Sequence, residues 1–65
     1  MTVTVNGEPR DLPEAQSVRA LLQTAGLTPE KVAVELNRHL LRSDRYDTPL
    51  KEGDEVEIVT FVGGG

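Results

Sequence analysis

At 65 residues the chain has the length of one small domain, near the size at which folding buries only about 60% of the surface exposed when unfolded, so a deep catalytic cleft has no room. With no cysteine, it has no disulfide framework, no thiolate zinc site and no side-chain persulfide. Lys and Arg total 7 against 11 Asp and Glu, and the resulting charge of −4 works against nucleic-acid binding and favours a basic partner surface.

The segment Thr2-Val3-Thr4-Val5 alternates polar and β-branched residues and stops at Asn6-Gly7, the strongest short signal for a hairpin turn. It lacks the charged start and apolar core of a signal peptide, and no apolar run approaches membrane-spanning length; a cytoplasmic location without membrane contact is expected. The returning Glu8-Pro9-Arg10-Asp11-Leu12 contains a proline, which points to a short edge strand. Ser17 then reads as an N-cap, with Val18, Leu21, Leu22 and Ala25 at i, i+3, i+4 and i+7 on one face of a helix of about two turns. Gly26 suits the left-handed residue beyond its end, and Thr28-Pro29 discourages continuation.

Val32-Ala33-Val34-Glu35-Leu36 reads as a third strand with Val32, Val34 and Leu36 on one side. Asn37 is a turn candidate, and Leu40-Leu41 suggests a short fourth strand. Between Arg42 and Asp54 the chain is polar except for Tyr46 and Leu50, which are expected to anchor the loop, and Gly53-Asp54 supplies a turn into the last strand. In that strand Val56, Ile58, Thr60 and Val62 share one face, the expected core face, while Glu55, Glu57, Val59 and Phe61 share the other. A hairpin, a helix and a long final strand predict an α+β fold with a mixed sheet of four to five strands, one main helix across one face, and the last strand parallel to the first. That is the ubiquitin-like β-grasp arrangement, with a domain over 1–62 and a flexible glycine tail over 63–65.

The tail is the main functional candidate. Gly63, Gly64 and Gly65 follow the strand with no polar spacer, and without Cβ atoms they can thread a slot that larger residues would block. The plain account of three such glycines is a linker remnant or a frayed end. An α-carboxylate on Gly65 is ionised at pH 7 and a poor electrophile until something activates it. Val59, Phe61 and Val62, beside the tail, are the partner-binding candidates, with Glu55 and Glu57 available to steer basic partners. His39 is the only histidine, has no second ligand at metal-like spacing, and reads as a surface sheet residue. Asp44, Asp47, Glu52 and Asp54 fit no calcium loop and read as solvated turns, so no metal site and no catalytic residue are expected.

The residues that carry a family resemblance occur in order. They are Asn6-Gly7, Ser17-Val18 with Leu21-Leu22, Val32-Ala33-Val34-Glu35-Leu36-Asn37, Leu50-Lys51-Glu52-Gly53-Asp54, and Val56-Glu57-Ile58-Val59 leading to Gly63-Gly64-Gly65. Over essentially the whole chain this resembles the ThiS family, the sulfur carriers of thiamine biosynthesis. The chain departs from the family between Arg38 and Asp47, where members often have a Pro-Arg pair and a tryptophan and this sequence has Arg42-Ser43 and Tyr46; there partner choice is tuned. The resemblance implies a protein cosubstrate rather than an enzyme. A ThiF-like adenylating enzyme, with its own ATP and Mg, would activate Gly65; a sulfur donor such as a cysteine desulfurase would leave a thiocarboxylate; a ThiG-like thiazole synthase would use it. No cofactor bound to this chain and a monomeric state are expected. Related β-grasp carriers serving molybdopterin synthesis or transfer-RNA thiolation, a ubiquitin-like modifier, and an interaction domain with inert glycines stay open as alternatives.

Overall fold

A computed structural model of the chain describes residues 1–61. The alternating start forms β1 (Thr2–Val5), with Val3 and Val5 buried. The chain reverses at Asn6-Gly7 with both φ angles positive, 50° and 83°, the type I′ turn whose twist matches a hairpin. It returns antiparallel as β2 (Glu8–Asp11), exposed throughout at the sheet edge, where Pro9 is tolerated.

Ser17 caps α1 (Val18–Thr24): its hydroxyl accepts the Ala20 N–H at 3.1 Å, and Val18, Leu21 and Leu22 are buried. The helix ends before the apolar spacing does. Ala25 is its exposed C-cap rather than part of the apolar face, because Gly26 turns left-handed at φ 73° and brings Leu27 back to the core instead. The Leu27 N–H reaches the Leu22 carbonyl at 2.9 Å and the Gly26 N–H the Gln23 carbonyl at 3.1 Å, the paired closure of a Schellman motif.

A 3₁₀ turn (Pro29–Lys31) leads into β3 (Val32–Leu36), which pairs with β4 (His39–Leu41) across a second turn at Asn37 and Arg38, with φ of 51° and 70°. After a 3₁₀ turn at Ser43–Arg45 and a long loop, β5 (Glu55–Thr60) completes a five-stranded sheet in the order β2-β1-β5-β3-β4. β5 is therefore the central strand, parallel to β1 and antiparallel to β3. This is the expected small α+β arrangement, a mixed sheet with one α-helix packed on one face.

The core lies between α1 and the sheet. Leu22, Val3, Val18, Val34 and Val56 are its most enclosed side chains, and Tyr46 and Leu50 add the long loop to it. Backbone bonds fasten that loop to the helix start: Arg19 N–H to the Tyr46 carbonyl and Leu50 N–H to the Gln16 carbonyl, both 2.9 Å. Along β5 the core face fades, with Val56 buried, Ile58 half-buried and Thr60 exposed. Thr60 thus falls outside the core that strand parity assigned it. The cause is length: the 7 residues of α1 rise about 10 Å while the 6 residues of β5 extend about 20 Å. Val62, the next residue of that parity, and Gly63, Gly64 and Gly65 lie outside the described residues.

Ala15, exposed before the helix, holds φ at 62°, a conformation costing an L-residue about 1–2 kcal/mol. Ala15→Gly is expected to raise stability by about 0.5 kcal/mol in urea denaturation, whereas Ala20→Gly inside α1 lowers it by about 1 kcal/mol. A loss at both positions would contradict the strained geometry.

Candidate functional site

The sheet has one covered and one open face. On the open face, strand register brings together residues that are far apart in sequence. Val59 sits opposite Ala33, Glu57 opposite Glu35, and Glu35 in turn opposite Leu40 of β4. Among the described residues the exposed large hydrophobic side chains are Leu40 at 70%, Val59 at 59% and Phe61 at 56%. All three belong to this face, so their exposure is a property of one surface rather than scatter. Phe61 is held at the strand end, its N–H donating to the Lys31 carbonyl at 2.9 Å.

Beside the apolar residues the face is acidic. A shallow depression is lined by Thr4, Gly7, Glu35, Arg38, Glu55 and Glu57. Arg38 reaches Glu55 at 3.7 Å, but both side chains are exposed and such a pair contributes little. Glu35 and Glu57 face one another across the β3–β5 ladder, and among the described residues neither is in an ion pair, an arrangement that disfavours folding and suits a basic partner.

Two asparagines fix the strand that leads to the tail. Asn37 donates its backbone N–H to the Glu55 carbonyl at 2.7 Å, accepts the Glu55 N–H on Oδ1 at 2.9 Å, and donates from Nδ2 to Asp54 Oδ1 at 3.1 Å. Asn6 grips the opposite side of β5: its backbone N–H donates to the Val56 carbonyl at 2.8 Å, and its side chain bonds both the N–H and the carbonyl of Ile58. Asn tolerates positive φ and presents a donor and an acceptor together, which is why this residue type serves at both turns.

Of the sequence candidates, Val59 and Phe61 are brought side by side on the open face, with Glu55 and Glu57 beside them. Val62, Gly63, Gly64 and Gly65 lie outside the described residues. His39 is an exposed residue of β4, and among the described residues no group of three or more His, Asp or Glu is placed to hold a metal. Leu40 and Glu35 were missed as surface candidates. The signal was there: strand alternation that buries Val34 and tucks Leu41 against the core must turn Glu35 and Leu40 outward. Three acidic turn residues also do more than face solvent. Asp54 Oδ2 accepts the Lys51 N–H at 2.8 Å, Glu52 Oε1 accepts the Thr2 N–H at 2.9 Å, and Asp47 Oδ1 accepts from Arg19 Nε at 2.6 Å.

The fold and this face define the class: a β-grasp protein whose central strand runs out beside an open apolar and acidic surface. Known proteins agree. The sequence signature described as the ThiS family matches residues 3–65. A sulfur carrier protein ThiS from Thermus thermophilus is 41% identical over 64 residues, covering 97% of this chain and 98% of that protein. The crystal structure of the thiamine biosynthesis protein ThiS from Geobacter metallireducens matches with a TM-score of 0.82 at 40% identity, covering 100% of both chains. A thiazole synthase from Magnetococcus marinus is 39% identical over 66 residues, and there this chain spans 20% of the relative's length. The chain belongs to the ThiS family. No helix among the described residues is long and apolar enough to cross a membrane.

Replacing Glu57 by Lys places opposite charges across the ladder from Glu35. Glu57→Lys is expected to raise stability by about 0.5 kcal/mol at low salt, with the gain shrinking toward zero at about 1 M salt. Denaturation curves at the two ionic strengths check this, and a destabilised variant would contradict the repulsion.

Proposed function

We propose that this protein carries sulfur on the α-carboxyl group of Gly65 and delivers it for thiazole formation in thiamine biosynthesis. The observation that carries this reading is the match to ThiS over residues 3–65, which includes the glycines. An ionised carboxylate repels nucleophiles and has no good leaving group. A partner enzyme, using its own ATP and Mg²⁺, joins the carboxylate to AMP and releases pyrophosphate. The persulfide of a donor such as a cysteine desulfurase then attacks the acyl carbon and AMP departs, and a thiol cleaves the resulting acyl disulfide, taking the donor sulfur into a new disulfide and leaving the thiocarboxylate.

The chain's own part in this chemistry is docking and reach. Val59 and Phe61, with Leu40, offer apolar contact on the open face, and Glu35, Glu55 and Glu57 select a basic counterpart. Val62 extends the apolar contact into the tail, and Gly63 and Gly64 enter the partner's channel. The partners are an adenylating enzyme and a thiazole synthase. The second is supported by the thiazole synthases of Magnetococcus marinus and Paramagnetospirillum magneticum, each with a stretch 39% identical to this whole chain. The carrier works as a cytoplasmic monomer that meets each enzyme transiently.

Intact-protein mass spectrometry tests the reading. After incubation with ATP, Mg²⁺, a ThiS-adenylating enzyme and sulfide, the chain is expected to gain the mass of one oxygen exchanged for sulfur, and a chain lacking Gly65 is expected to gain none. No exchange with an enzyme active on another carrier would refute it, and adducts on lysines of other proteins would favour a modifier instead. Val59→Asp and Phe61→Ala, at exposed positions, are expected to raise the KM for the carrier about tenfold or more while leaving the melting temperature within a few degrees. Steady-state adenylation kinetics and thermal denaturation give both numbers.

A further inference from the structure

The two neighbours of β5 do not accompany it equally far. On one side β3 follows it to the Val32–Thr60 pair, and Lys31 still holds the Phe61 N–H. On the other side β1 pairs only Thr4 with Glu55 and Val5 with Val56, and then the chain turns away into β2. Val56, Ile58 and Thr60 direct their backbone groups to that side, since β-strand polar groups alternate. The Asn6 carboxamide fills the first vacant rung: Oδ1 accepts the Ile58 N–H at 2.7 Å and Nδ2 donates to the Ile58 carbonyl at 3.2 Å. Beyond it no hydrogen bond from the β1 side reaches the Thr60 backbone among the described residues. Among the described residues Asn6 gives the last support on that flank, at Ile58, three residues before Phe61.

We infer that Asn6 is a positioning residue for sulfur loading: acting through the Ile58 backbone, it sets the direction in which the described strand end, Thr60 and Phe61, leaves the sheet. This rests on the carrier reading above. The docking residues Leu40, Val59 and Phe61 lie on the open face, whereas Asn6 works at the flank of β5, so docking and delivery are separable. The residue type is restricted. Glycine keeps the turn at φ 50° but has no amide, and aspartate keeps the acceptor for the Ile58 N–H but sets a second oxygen against the Ile58 carbonyl.

The test compares N6G and N6D with N37G, which removes the other asparagine grip at the opposite, entry end of β5. Adenylation with ATP and Mg²⁺, and sulfide loading, are measured on the full chain under conditions where circular dichroism shows each variant folded. For N6G, kcat is expected to fall about tenfold with KM within about twofold of wild type, with N6D between the two and N37G near wild type in kcat. Amide exchange is expected to quicken at Ile58, and at Phe61 downstream of it, in N6G but not in N37G. An unchanged kcat in folded N6G, a rise in KM alone, or equal losses in N6G and N37G would overturn the inference. If the wild-type chain takes up no sulfur, the carrier reading has failed, and unchanged exchange at Ile58 and Phe61 in N6G would separately overturn the clasp.

Discussion

The fold depends on the hydrogen bonding of a single strand. β5 is made last in the sequence yet lies in the middle of the sheet, so every other strand is placed by reference to it. Its two flanks are bonded differently, by a short parallel ladder to β1 and a longer antiparallel one to β3. The parallel flank is too short for the strand it serves, and a side-chain amide makes up the missing rung. The same device recurs at the other end, where Asn37 closes the entry to β5. Two turns that join neighbouring strands thus also tie those hairpins to the centre.

A chain this small cannot cover both sides of its sheet. One seven-residue helix shields one face, and the long loop extends that shield by inserting Tyr46 and Leu50. Among the described residues no layer covers the other face. Its apolar residues stay in water and its acidic residues stand beside one another, a cost to a domain of marginal stability. The two sides are thus separated: the helix side holds the fold together, and the open side keeps its apolar and acidic residues exposed.

Much of this was legible in particular residues. Asn6-Gly7 marks the first hairpin because few other dipeptides accept two positive φ angles, and Ser17 and Gly26 bracket the helix for equally local reasons. The parallel pairing of β1 and β5 followed from chain order and the handedness of crossovers. What local pattern could not supply was anything fixed by the third dimension. Ala25 continued the helical spacing, but the Schellman turn put Leu27 in its place. Thr60 continued the strand parity, but the helix above it had ended. The second partners of Asn6 and Asn37, 52 and 18 residues away, have no sequence signature at all. Of the candidate site, the exposed pair Val59 and Phe61 came from strand parity, while Leu40 and Glu35 needed the register that sets β4 and β3 beside them.

The central position of β5 also has a mechanical consequence. A pull on the C-terminal end is transmitted along the axis of a strand bonded on both flanks, with the hydrogen bonds lying nearly across the direction of force. Such bonds bear load in shear and together, whereas a tail leaving from β2 or β4 would let the edge peel one rung at a time. A force applied along β5 is therefore resisted by both flanks of the sheet at once.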